Sequence, residues 1–126
     1  MNVKAIKTDK APAAIGPYSQ AITYNQLLYT SGQLPLNPET AKIVEGDAVE
    51  QAHQVFKNMA AIAEEAGSSL QKAVKVTVFL ANIGDFAAVN DVYKEYFSEP
   101  FPARSAYQVA ALPLGADIEA EAIIAL

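Results

Sequence analysis

The sequence contains no cysteine, one histidine and one arginine among its 126 residues. Without cysteine there is no disulfide, thiol nucleophile, zinc–thiolate site or iron–sulfur cluster. A single histidine leaves a transition metal short of its usual ligands; a hard-cation site made only of carboxylates stays open. No metal and no cofactor is expected. Basic residues number nine against fourteen acidic ones, a net charge of −5. Nucleic-acid binders carry a basic patch that displaces phosphate counterions, so DNA and RNA are not expected partners. No apolar run approaches the roughly 18 residues of a membrane span. Met1-Asn2-Val3-Lys4 lacks the apolar stretch of a signal peptide. The expectation is a soluble, cytoplasmic protein with no membrane partner. Gly16 and Gly115 stand alone, so no phosphate-cradling glycine loop is present. Repeats, low-complexity tracts and linkers are absent too, which makes residues 1–126 one domain.

What is abundant is apolar side chain. Hydrophobic residues make up 52% of the chain, above the usual range of about 45–50% with glycine included. A short chain cannot hide that surplus in its own core, so part of it should line a subunit interface. Residues 11–18 form a small-residue loop with two prolines. Gln20 to Tyr24 and Leu27 to Ser31 read as strands joined by a two-residue turn, Asn25-Gln26. Asp47 opens a helix whose apolar stripe is Val49, Ala52, Phe56, Met59, Ala60 and Ala63, and Gly67 stops it. Val74, Val76, Val78 and Leu80 alternate with Lys75, Thr77 and Phe79, the pattern of a strand with one drier face. A second helix follows Gly84-Asp85, with Phe86, Val89, Tyr93 and Phe97 as its stripe. Two last strands, about Ala106 to Leu112 and Ile118 to Leu126, are joined through Pro113-Leu114-Gly115, which makes a hairpin if they pair directly. The order β-β-α-β-α-β-β suggests an α+β fold: one mixed sheet with both helices on one face. The other face then needs cover from other subunits.

Six positions carry candidate chemistry. Arg104 is the sole arginine in a chain that otherwise uses eight lysines. Its rigid guanidinium fork matches a carboxylate in two parallel bonds, which an ammonium cannot do. It marks either an anion site or an ion pair with one of the acidic residues. Asn90 falls at the edge of the second helix's stripe, so its amide either bonds nearby backbone or is aimed into a pocket. Glu119 lies in the last strand next to Ile118, as a solvated or ion-paired glutamate or as a site carboxylate. Gly32, after Ser31, either stops a strand or lets a ligand approach the backbone. Tyr18 follows the rigid Gly16-Pro17 corner, as a positioned phenol or a core plug. His53 lies beside the first helix's stripe, where packing is the ordinary role of a lone histidine.

Five ordered motifs run the length of the chain. They are Ala11-Pro12-Ala13-Ala14-Ile15-Gly16-Pro17-Tyr18-Ser19-Gln20, Thr30-Ser31-Gly32-Gln33-Leu34-Pro35, Val89-Asn90 with Tyr93, Pro102-Ala103-Arg104-Ser105, and Ile118-Glu119-Ala120-Glu121-Ala122. Together they resemble the RidA (YjgF) family of reactive-intermediate deaminases. The resemblance implies a chorismate-mutase-like α+β fold, a homotrimer, and clefts between subunits. It also implies hydrolysis of 2-imino acids such as 2-iminopropanoate and 2-iminobutanoate, formed from enamines that pyridoxal-phosphate dehydratases release, to 2-oxo acids and ammonia. By that resemblance Arg104 clamps the substrate carboxylate and Glu119 positions the attacking water. Tyr18, Ser31, the Gly32 backbone and Asn90 line the cleft. One departure is Ala106, where many relatives carry cysteine, so no thiol can be essential here. Two other functions stay in view: a regulatory protein that senses a 2-oxo acid without turnover, and the ribonuclease or translation inhibitor that some relatives are named for.

Overall fold

The computed structural model describes residues 2–126. Eight elements follow in order: β1 (Lys4–Ile6), β2 (Ala21–Tyr24), β3 (Leu27–Thr30), α1 (Ala48–Glu65), β4 (Ala73–Leu80), α2 (Phe86–Tyr96), β5 (Ala103–Gln108) and β6 (Ile118–Ala125). All six strands join one mixed sheet in the order β1-β2-β3-β6-β4-β5. Both helices pack on one face of it. Val76, Val78, Leu80, Ile118 and Ile124 from the sheet meet Val55, Phe56, Met59 and Ile62 of α1 in a fully buried core.

Local chemistry explains most boundaries. Asn25 takes a left-handed φ of 57° in the β2–β3 turn, which asparagine tolerates. The Asp47 carboxylate accepts the Val49 N–H at 2.9 Å and starts α1. Gly67, at φ 81°, ends it, while the Gly67 and Ser68 N–H groups return to the carbonyls of Glu64 and Ala63. The buried stripe of α1 is centred one step further round than the sequence pattern implies: Val55 and Ile62 are fully buried, Val49 and Ala60 only partly. Asn58, also buried, donates to the Leu34 and Leu36 carbonyls and ties the 34–36 loop to the helix. No helix among the described residues is long and apolar enough to cross a membrane.

Three expectations need correction. The strand β1 was not foreseen; three residues, Lys4-Ala5-Ile6, give no periodic signal. It pairs antiparallel with β2 from Lys4↔Thr23 to Ile6↔Ala21, and just beyond it the buried amide of Gln20 fixes the chain, accepting the Thr8 N–H at 2.7 Å and donating to the Thr8 and Pro12 carbonyls. Val74 does not join the dry face of β4 but is 49% exposed, because the pairing with β6 slips by one residue between Ala73 and Lys75. Most consequential, β5 and β6 do not form a hairpin. The strand β5 begins at Ala103, three residues before the expected start, and pairs parallel with β4 from Lys75↔Ala103 to Leu80↔Gln108. The connection through α2 is long enough for a parallel return. An edge strand needs few apolar residues, so the apolar run beginning at Ala106 misplaced the element.

Candidate active site

Two groups of the expected site residues form, on different sides of the sheet. The first is built around Gly32. After β3 the chain passes beside β6, where Gln33 and Ala120 exchange backbone bonds of 2.7 and 3.2 Å. That bridge sets Gly32 directly against Glu119. A Cβ added to Gly32 would lie 2.5 Å from Oε2 of Glu119, so the carboxylate occupies the space a side chain would fill. Burial pushes the Glu119 carboxyl above the ordinary glutamate range, and the like charge of Glu121 on the same side of the strand adds to the shift. Ser31 is fixed beside them. Its N–H donates to the Gln20 carbonyl at 2.9 Å and its hydroxyl to the Ser19 carbonyl at 2.5 Å. Ser19 carries Tyr18, whose N–H closes a tight turn onto the Gly16 carbonyl at 2.9 Å. The Tyr18 ring is 54% exposed, so it is no core plug. Tyr18 and Ser19 also line a cavity of about 430 Å³ beside β1.

The second group is built around Arg104. Its Nη1 donates to Oδ1 of Asn90 at 2.6 Å. The guanidinium carbon lies 4.7 Å from the centroid of the Tyr93 ring and 5.1 Å from that of Phe86. Phe86, Asn90 and Tyr93 sit at i, i+4 and i+7 of α2, one face of the helix. Burial pushes the Tyr93 phenol up, and the adjacent guanidinium works in the opposite direction. A cleft of about 340 Å³ opens here, lined by Asn90, Tyr93, Lys94, Phe101, Pro102 and Arg104. Among the described residues the oppositely charged side chains within 4 Å of each other are Lys94 and Asp91, with Glu95 also 4.0 Å from the His53 ring, and neither contact involves Arg104. The guanidinium is thus oriented by an amide and two rings while its charge stays unneutralised. Of the two roles open to Asn90, the structure gives it the second: its amide faces this cleft, and there it bonds the arginine rather than nearby backbone.

Strand register separates the groups. Arg104 pairs with Val76 of β4, which is fully buried beneath the helices. Glu119 pairs with Phe79, an odd number of residues away, which therefore points to the opposite face. Arg104 leaves the sheet on the covered side, and Glu119 on the open side. The structure gathers Ser31, Gly32 and Glu119, with Tyr18 alongside, and separately Arg104 and Asn90. It does not bring the two together within one chain. His53 belongs to neither: its Nδ1 lies 2.9 Å from the Tyr96 hydroxyl and ties α1 to α2. Sequence reasoning placed Phe86 and Tyr93 in the core stripe and missed that they also carry the guanidinium; their spacing around Asn90 was the available signal.

The comparisons with known proteins agree with this architecture. The family model described as "Endoribonuclease L-PSP" matches residues 8–126. A goat (Capra hircus) protein named 2-iminobutanoate/2-iminopropanoate deaminase is 54% identical over 120 residues, 95% of this chain and 88% of that protein. Among solved structures, the Rid-family protein YyfA of Yersinia pestis superposes with a TM-score of 0.96 at 48% identity, over 99% of this chain and 100% of that one. RidA of the Antarctic bacterium Psychrobacter superposes with a TM-score of 0.94 at 50% identity, over 98% and 99%. With nearly the whole chain matched in sequence and in fold, the protein belongs to the RidA (YjgF) family.

Proposed function

We propose that the protein is a deaminase that hydrolyses 2-imino acids to 2-oxo acids and ammonia. The observation that carries the reading is the unneutralised fork of Arg104, held ready by Asn90 and two rings. It suits a small carboxylate, and the goat relative's name supplies the imine. In the reaction, Arg104 holds the substrate carboxylate. An iminium carbon is already electrophilic, so water adds to it directly. Glu119 orients that water and takes its proton as the C–O bond forms. That proton then passes to the nitrogen; as the C–N bond breaks, Glu119 takes the remaining hydroxyl proton while the C=O bond forms, so that ammonia leaves with the 2-oxo acid behind and Glu119 returns the proton to solvent. A carboxylate whose proton affinity is raised by burial suits this exchange better than a solvated one. No thiol takes part, since Ala106 stands partly buried where many relatives carry cysteine.

The opposite orientation of Arg104 and Glu119 makes a complete site an intersubunit one. We read the open sheet face, with Tyr29 39% and Tyr107 54% exposed, as the surface that joins three copies in a chorismate-mutase-like homotrimer. Each cleft then takes Arg104 and Asn90 from one copy and Glu119, Gly32, Ser31 and Tyr18 from the next. The ribonuclease reading named by the family model draws no support from a chain with net charge −5 and one arginine.

Mixed assembly tests the proposal. Arg104→Ala and Glu119→Gln chains, each inactive alone on 2-iminobutanoate made by a threonine dehydratase, are co-expressed or refolded together. In a cyclic trimer with head-to-tail contacts, each mixed assembly contains one interface of the right sense. Random mixing at equal amounts then restores about a quarter of the sites. Two inactive chains that stay inactive when mixed would show that one subunit supplies both residues, and a wild-type protein without imine turnover would remove the deaminase reading itself.

A further inference from the structure

We propose that Phe86 and Tyr93 are positioning residues for Arg104: their rings form a platform that fixes the plane of the guanidinium before any ligand arrives. The inference rests on the deaminase reading for its catalytic consequence, but the platform itself is a property of the free protein. Arg104 lies on β5, an edge strand, and is exposed to solvent. An exposed arginine ordinarily samples many rotamers, and holding one costs conformational entropy when a ligand binds. Here three side chains of α2 remove that freedom in advance. Asn90 takes one N–H of Nη1, at 2.6 Å. The Tyr93 and Phe86 rings lie 4.7 and 5.1 Å from the guanidinium carbon, within reach of a cation–π contact. The Nη2 and Nε groups remain for a carboxylate to bond in bidentate fashion.

The two rings are unequal supports. Tyr93 is 4% exposed, stacked on Phe97 at 4.3 Å and edge-on to Phe56, so the core immobilises it. Its buried hydroxyl has no hydrogen-bond partner. The hydroxyl therefore plays no part in holding the arginine, and the ring face does. Phe86, at the first turn of α2, is only partly buried and makes the outer edge of the platform. This division predicts which changes matter. Removing a ring loosens the fork and weakens carboxylate binding, whereas removing the Tyr93 hydroxyl alone leaves the platform whole.

The sole arginine permits a direct test, because the chain has a single arginine Nε–H to observe by NMR. In the ligand-free wild type its order parameter should approach the rigid-backbone value of about 0.85, and in Phe86→Leu it should fall toward about 0.6 or below. Tyr93→Phe should keep the wild-type value. In the imine assay, loss of one ring should raise KM about two- to fivefold with kcat little changed, and 2-oxobutanoate binding should weaken by the same factor. Phe86 is only partly buried at the edge of the core and leucine keeps an apolar side chain there, so the leucine variant should keep the wild-type melting temperature within a few degrees. A mobile guanidinium in the free wild type overturns the platform, as does a folded Phe86→Leu variant with wild-type order parameter and KM. A Tyr93→Phe variant as mobile as Phe86→Leu would do the same by assigning the effect to the hydroxyl. Because the order parameter needs no substrate, a rigid Arg104 in a protein that hydrolyses no imine would leave the platform standing and sink only the deaminase reading.

Discussion

The Arg104 group and the Glu119 group solve opposite problems with opposite means. Arg104 is a permanently charged, exposed side chain on an edge strand, and it is made specific by restraint: an amide at 2.6 Å and two aromatic faces. Glu119 is a titratable side chain on an interior strand, and it is made reactive by partial removal from water against a glycine that has no side chain to displace it. The first group is finished within one chain; its charge needs only a ligand. The second is a carboxylate with no ion-pair partner among the described residues and a neighbour, Glu121, of like charge. The contrast teaches where catalysis and recognition divide. On the proposed mechanism binding falls to the half built on α2 and β5 and chemistry to the half built on β3 and β6, so each should be open to damage without the other.

Glu119→Gln should break the chemical half most severely. It keeps the shape over Gly32 and removes the base, so turnover should fall by about 10²–10⁴. Binding of 2-oxobutanoate, which Arg104 governs, should change little. The fold should survive. Since the folded protein raises the pKa of Glu119, its contribution to stability is full at low pH and lost as pH rises through that raised value. At neutral pH the glutamine variant should therefore melt no lower than wild type. Full turnover in this variant, or a covalent adduct in the mass spectrum during turnover, would overturn attack by water. Arg104→Lys should break the binding half instead. A point charge cannot reproduce the fork, and charge-assisted bonds are worth about 1.5–3 kcal/mol, so kcat/KM should drop roughly tenfold to a hundredfold, and further in Arg104→Ala. Near-wild-type values in a folded lysine variant would mean that the fork does not read the carboxylate.

This division was only half legible in the sequence. Both helices, the β2–β3 turn and the central strands announce themselves through period, caps and glycines, because each buries a face locally. Arg104 was legible through its uniqueness, and Ser31-Gly32 and Glu119 through the family's motifs. Their relation was not. Whether β5 pairs with β6 or with β4 was not legible, since hairpin and crossover connections look alike when the strand in question is at an edge; in the fold Arg104 neighbours β4. Which face each side chain takes depends on register, through Val76↔Arg104 and Phe79↔Glu119, and register is a property of strands distant in sequence. The platform under Arg104 escaped notice for a different reason. Phe86 and Tyr93 satisfy the apolar stripe of α2, and a residue that explains itself as core gives no cause to seek a second role.

Gly32→Ala sharpens the comparison at smaller scale. The new Cβ would meet Oε2 of Glu119 at 2.5 Å. That atom ends a flexible side chain, so the carboxylate swings aside and the fold persists. A misplacement of about 1 Å can cost about a hundredfold, and a glutamate that partly recovers its place should lose roughly tenfold in kcat. Affinity for 2-oxobutanoate should hold, because the Arg104 group is untouched. An equal loss of affinity would mean that the two halves are not separable, and unchanged kcat would mean that the carboxylate's present place over Gly32 is not the productive one.

The smallest effect expected is a shift in pH dependence, and it isolates one cause of the Glu119 perturbation. On the proposed mechanism ionised Glu119 is the active form, so activity should be lost as pH falls through its pKa. Burial is the larger reason that this pKa is raised, and the charge of Glu121 is the lesser one. Glu121→Gln removes only the repulsion. The acid limb of kcat/KM should therefore move to lower pH, while staying above the ordinary glutamate range to the extent that burial alone holds it there. A guanidinium brought up by a second copy would lower both limbs together, so the direction of the difference does not depend on where the wild-type limb begins. The maximum rate should be unaltered, because Glu121 is exposed and touches no group of the proposed mechanism. An unmoved limb would mean that the titrating group is not Glu119, and a limb displaced to higher pH would contradict the electrostatic account of the carboxylate altogether.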